Sequence, residues 1–303
     1  MKMRMLAPLA VTAAAGLVLA GCSSSGDSGS TTSADTSGSA TAGGDITFGV
    51  FNGWDEANAS SLLWENILDA KGYNVSLEYA DPAPVFQALA DGDYDLTTDV
   101  WLPKTHASYL DQYGDSIVEL GAWFDSAKLT VAVNADAPID SLADLAANAD
   151  QFGNTIVGIE PGAGLTAAME DDVIPTYGLD GMDFITSSTP AMLAELDTAM
   201  ANGENIVVTL WEPHWAYGAY DLKNLEDPEG ALGDAESIYT YSRTGFSDDF
   251  PQVAEWMSAF TMDSDHLYDL ENALQAAGTD ADQQQVVADW VAANQEWVDS
   301  LTA

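Results

Sequence analysis

Three tryptophans and one histidine occupy positions from which side chains can hold a small charged molecule: Trp54, Trp101, Trp211 and His106. Trp101 and His106 share the stretch TTDVWLPKTHASY, where a tryptophan closes an apolar run, proline follows soon after, and one of the chain's 3 histidines comes next in the turn. Trp54 follows ITFGVFNG and Trp211 follows NIVVTL, so all three indoles stand at the carboxyl ends of predicted strands. In an open α/β sheet that edge is where ligands bind. Indole faces carry negative potential, and several facing one another suit a cation that has no hydrogen to donate, such as a quaternary ammonium. Each ring is worth about 0.5–2 kcal/mol in such a cage, so useful affinity calls for a second anchor.

Two features can supply that anchor. EPGAGLTAAME follows the predicted strand NTIVGI, and its Gly162 and Gly164 allow a tight turn into a helix beginning near Leu165. Free amides and the positive end of the dipole at a helix start favour an anion. His106 can reach the same place across the turn LPKT. A cage for a cation beside donors for an anion describes a zwitterion. Competing readings are an ordinary aromatic cluster closing a cleft and, for His106, a residue on a helix face. Gly162, Gly164 and Ala167 nominally match a dinucleotide fingerprint, but that fingerprint opens the first strand-to-helix unit of its fold, and here it lies deep in the chain.

Other chemistries lack their motifs. No H-E-x-x-H, no G-x-S-x-G and no paired Cys/His spacing occurs, and His214 and His266 are far apart without a metal-ligand pattern. Adjacent acids such as Asp55 and Glu56 resemble a hydrolase's acid and base, yet with 49 Asp+Glu such pairs arise by chance. Neither catalysis, a metal nor a cofactor is expected. Trp64, Trp256, Trp290 and Trp297 are assigned to core packing.

The elements that must position these residues alternate between short apolar runs and helical periods, which predicts an α/β fold. ITFGVF, NVSLEYA, YDLTTDVW, KLTVAVN, NTIVGIE, NIVVTLW and ESIYTYSR read as strands. ASSLLWENILDAKGY, PAPVFQALADG, SLADLAANA and TAAMEDDVI read as helices, and more follow to the end of the chain. TVAVN and SIYTYSR are read as crossings between two lobes. One lobe is then 45–132 plus 236–303 and the other 133–235, the layout of a hinged binding protein.

Ahead of this stands an address. Lys2 and Arg4 precede an apolar run that stops at LAGC, the pattern of a lipoprotein signal peptide over 1–21 with lipidation at Cys22, the only cysteine. Residues 22–44, rich in Ser, Gly, Thr and Ala, read as a flexible tether. The protein is therefore expected on the extracytoplasmic face of a bacterial membrane, held by lipid alone. With 7 Lys+Arg and a net charge of −42, nucleic acid and anionic lipid are poor partners on charge. Acidity of this degree also keeps a protein hydrated in salty surroundings.

The blocks GWDEANASSLLWENIL, DVWLPKTHASYLDQYG, GIEPGAGL and LWEPHWAYGAYDLKNLEDPEG resemble the glycine betaine-binding lipoproteins of ABC transporters over nearly the whole mature chain. The resemblance implies a two-lobe periplasmic-binding-protein fold of class II type, a monomer that closes on its ligand and delivers it to a permease with its ATPase. It implies a cage of Trp54, Trp101 and Trp211 for the trimethylammonium group. It further implies a carboxylate clamp of His106 with the amides of Gly164 and Leu165. Trp215 receives no cage role. Choline-binding members have a similar cage and an aspartate where Glu56 stands here, but a tyrosine in place of Leu129 and an asparagine in place of Ala163, which favours a betaine over choline.

Overall fold

The computed structural model describes residues 43–278 and 281–303. The signal peptide, Cys22 and all but the last two residues of the predicted tether lie outside the described residues. Gly43 already bonds to the Gly72 carbonyl at 2.8 Å, and Gly44 opens the first strand.

Nine strands are present among the described residues: β1 (Gly44–Phe51), β2 (Tyr73–Ala80), β3 (Leu96–Leu102), β4 (Ile117–Asn134), β5 (Thr155–Val157), β6 (Asp183–Ile185), β7 (Val207–Glu212), β8 (Leu222–Asn224) and β9 (Glu236–Arg243). They follow the order β2-β1-β3-β9-β4-β7-β5-β6, with β8 beside β4. β1 runs parallel to β2 and β3, and β5 runs parallel to β6 and β7. Each parallel group is the product of strand–helix–strand units whose strands are covered by helices, which is why β1, β3 and β7 are nearly continuous apolar or buried runs. β9 and β4 are antiparallel and lie between the two groups.

β4 spans the two sheets. Residues Ile117 to Ala127 pair with β9 in the first sheet, and Lys128 to Val133 pair with β7 in the second. The chain returns to the first sheet ahead of β9, whose partners are β3 and β4. The first half of β4 was not read as strand from sequence because its pairing with β9 slips repeatedly and Ser126 adopts a positive φ of 66°, which breaks the apolar alternation. β6 and β8 are three-residue strands with little apolar signal. Conversely, NTIVGIE is strand only at Thr155–Val157, because the chain turns early toward Glu160. The helix expected at TAAMEDDVI is broken into Gly164–Ala168, a π-helical turn at Met169–Val173 and Ile174–Tyr177.

Helix Asp55–Ala70 lies against β1, β2 and β3 and also meets the carboxyl-terminal helices Ser264–Ala277 and Gln283–Ala293. Trp64 is buried on it, edge-on to Phe260 at 5.3 Å between ring centres. Trp290 is buried, whereas Trp256 and Trp297 are half-buried against the core. The first sheet and these helices thus fix one side of the cleft, and β5 to β7 fix the other.

Candidate functional site

The three tryptophans meet. Trp54, Trp101 and Trp211 line one small cavity with Glu56, Thr105, Leu129, Ile159 and Leu165. Trp54 immediately precedes helix Asp55–Ala70, while Trp101 and Trp211 each stand one residue before the end of β3 and β7. The carboxyl ends of three strands therefore present the rings, two from the first sheet and one from the second. The rings of Trp54 and Trp211 lie 6.1 Å apart, tilted by 51°.

The turn from Trp101 to His106 closes on itself, which explains the spacing of WLPKTH. The His106 amide donates to the Trp101 carbonyl at 3.0 Å, and the Trp101 amide donates to His106 Nδ1 at 2.9 Å. Glu236 at the start of β9 holds the turn from outside by accepting from the amides of Lys104 at 2.7 Å and Thr105 at 3.0 Å, and from the Thr105 hydroxyl.

Because Nδ1 accepts, the His106 ring proton sits on Nε2. That Nε2 is buried and has no protein partner. The imidazole stacks on Trp54, 5.7 Å between centres and 7° from parallel, one layer behind the cavity wall. Burial pushes its pKa down to about 3, so the ring is neutral at physiological pH and offers an N–H without charge.

Leu165 lines the cavity and Gly164 packs beside it, at the start of the helical run. A Cβ on Gly164 would lie 2.1 Å from the Thr105 carbonyl oxygen, so only glycine permits the two lobes to approach this closely there. Tyr109 crosses nearby, donating to the Gly162 carbonyl at 2.8 Å.

Each of the three indole N–H groups is held by an acid. Trp101 Nε1 donates to Asp99 at 2.7 Å, Trp211 Nε1 to Glu56 at 2.9 Å, and Trp54 Nε1 to Glu160 at 2.5 Å. Burial first, then the neighbouring Asp99, holds Glu56 well above the usual carboxylate range. Asp99 is likewise pushed up by burial and, less strongly, by Glu271. Glu271, on helix Ser264–Ala277, is pushed up by burial and by Glu56 and Asp55, and neither of its oxygens has a hydrogen-bond partner.

Sequence reasoning did not assign Thr105, Ile159, Glu160 or Asp99 to the site, nor give Trp215 a role. Trp215 is buried and donates to Asp55 at 2.8 Å. A signal for Glu160 was present: an acid terminating the apolar run TIVGI, where a charge must find partners if the run is buried. His214 and His266 join no metal-binding cluster among the described residues.

Residues 44–293 match the family model described as the substrate-binding domain of ABC-type glycine betaine transport systems. The chain belongs to that family. It is a family of binding proteins for transport, not of enzymes. A curated relative, the glycine betaine/carnitine transport binding protein GbuC of Listeria monocytogenes, is 33% identical over 171 residues, 54% of this chain and 55% of that protein, so the chain spans about half the length of that relative. Among solved structures, the binding domain is similar to lactococcal OpuAC in its closed form complexed with glycine betaine. That likeness has a TM-score of 0.79 and 30% identity, covering 86% of this chain and 99% of the other. It is similar also to the glycine betaine/L-proline-binding protein ProX from Borrelia burgdorferi, with a TM-score of 0.80 and 28% identity, covering 86% and 97%. The two-lobe α/β fold expected from the sequence is the fold of these structures.

Proposed function

We propose that this chain is the extracytoplasmic receptor of an ABC importer and captures glycine betaine, or a close relative such as proline betaine, for osmoprotection. The observation that carries this reading is the convergence of Trp54, Trp101 and Trp211 on one small cavity beside a neutral, buried histidine whose ring proton has no partner. The indole faces receive the trimethylammonium group. His106 Nε2–H and the amides of Gly164 and Leu165 receive the carboxylate. Lobe I is taken as 45–132 with 236–303 and lobe II as 133–235. Binding favours their closed arrangement because the anchors come from both. The receptor is held to the membrane through lipidated Cys22, acts as a monomer and passes its ligand to the permease.

A second reading, a choline or carnitine receptor, draws support from Glu56, whose carboxyl oxygens on the cavity wall can face a cation without any carboxylate on the ligand. Parallel calorimetric titration of the purified protein with glycine betaine and choline separates the two. Tight glycine betaine and much weaker choline support the first reading. The reverse order supports the second, and no heat with either ligand removes the cage.

A further inference from the structure

Two of the three cavity tryptophans are hydrogen-bonded by a carboxylate from the opposite side of the cleft. Trp54 follows β1 of the first sheet, but its Nε1 proton goes to Glu160, which follows β5 of the second. Trp211 stands on β7 of the second sheet, and its Nε1 proton goes to Glu56, in the first turn of the helix that packs on the first sheet. Trp101 differs: its partner Asp99 lies two residues away on the same strand.

Glu160 is built for this single contact. It is buried, and its second oxygen accepts from the amide of Thr189 at 3.0 Å and from the Thr189 hydroxyl at 3.1 Å. Its carbonyl accepts from the Thr166 hydroxyl at 2.9 Å. Two bonds on its own side of the cleft thus fix the carboxylate, a third holds its backbone, and one carboxylate oxygen is left for Trp54. The lobes touch at the same point: a Cβ on Gly53 would lie 2.9 Å from Pro190, the residue after Thr189. Parting the lobes would break both crossed indole bonds while leaving the Trp101–Asp99 bond intact.

We infer that Glu160 and Glu56 are positioning residues that make assembly of the aromatic cage conditional on lobe closure, with Trp101 as its preformed wall. This rests on the proposed function for the identity of the ligand. A carboxylate accepting an indole N–H fixes the ring's angle without covering its face, so the face stays open to a cation. A buried donor left unpaired is costly, and these two indole donors find their partners only when the two sides of the cleft meet.

The test is a double-mutant cycle on the full chain, read by titration with glycine betaine. Trp54→Phe keeps a ring and removes the donor, and Glu160→Ala removes the acceptor. Each single variant is expected to weaken binding by about 10- to 100-fold, and the double variant by little more than either, because both remove the same bond. Glu160→Gln, which retains a carbonyl acceptor, is expected to fall between wild type and Glu160→Ala. A paired spin-label distance across the cleft gives an independent reading: at saturating glycine betaine, Glu160→Ala should show a larger open fraction than wild type, while its ligand-free melting curve shows that it folds. Unchanged affinity in Glu160→Ala, or strictly multiplicative losses in the double variant, would overturn the inference. Absence of glycine betaine binding by the wild type would instead overturn the ligand assignment.

Discussion

Two clusters in this molecule are made from the same residue types and behave differently. In the cleft, His106 stacks on Trp54, and Trp54, Trp101 and Trp211 each donate an indole proton to a carboxylate. Near the carboxyl terminus, His266 stacks on Trp297 at 4.4 Å and 15°, Trp290 stands edge-on to Trp297, and Trp290 donates to Asp269 at 2.7 Å. In the second cluster the polar groups named are satisfied locally. His266 Nδ1 and its amide both bond to Asp263, the N-cap of its own helix, and those bonds hold Asp263 below the usual carboxylate range. In the cleft two of the three indole–carboxylate pairs, Trp54–Glu160 and Trp211–Glu56, join residues far apart in the chain and on the two sheets, and the Nε2 of His106 has no protein partner. Residue types alone therefore do not mark a binding site. What sets the cleft apart is a buried donor without a protein partner and indole bonds that cross between the two sheets.

The sharpest way to break this contrast is steric. Gly164→Ala places a methyl group against the Thr105 carbonyl of the opposite lobe while suiting a helical position. Loss of glycine betaine affinity by more than about 100-fold is expected, with the ligand-free melting temperature within about 2 °C of wild type. Calorimetry and a melting curve on the same sample decide it. The equivalent change of an aromatic comes next. Trp211→Ala is expected to abolish measurable binding. Trp297→Ala should leave affinity within about twofold but cost about 1–3 kcal/mol of stability, because its ring is half-buried packing.

The buried acids give a smaller effect, read in the ligand-free protein. The fold raises the pKa of Glu271 above its unfolded value, so it favours the protonated form, and the stability this confers is lost as pH rises above the ordinary carboxylate range. Glu271→Gln should therefore melt a few degrees higher than wild type at pH 8 and no higher at pH 4.5. His106 and His214 act with the opposite sign. Both are pushed down to about 3 by burial, so the stability they confer as neutral rings is lost as pH falls below about 6.5. The smallest effect is expected in the pH profile of binding. A histidine that had to be protonated would weaken binding as pH rises. A neutral His106 donor predicts that glycine betaine affinity does not fall between pH 5.5 and 8.5, and titrations at four pH values would detect such a fall.

Much of this arrangement was legible in the sequence. The tryptophans sit at strand ends whose runs are apolar enough to read, and the blocks WLPKTH and WEPHW are short-range devices that keep their meaning without the fold. The crossed pairs Trp54–Glu160 and Trp211–Glu56 join residues more than a hundred positions apart, and no local period or propensity encodes such a pairing. Glu56 was visible only as one acid among many. The sequence also did not reveal that His106 is neutral, because burial and the Trp101 amide decide that, and both are tertiary facts. The first half of β4 was hidden for a related reason: its slips against β9 replace the regular alternation by which strands are recognised.

The most direct test of the zwitterion site is the ratio of glycine betaine to choline affinity in wild type and in His106→Ala, measured by calorimetry under one condition. Loss of a donor to the carboxylate should lower glycine betaine affinity by about 10- to 100-fold and leave choline within about threefold, so the ratio collapses. An unchanged ratio, whether both ligands weaken together or neither does, would contradict the assignment of His106 to the carboxylate and with it the zwitterion site.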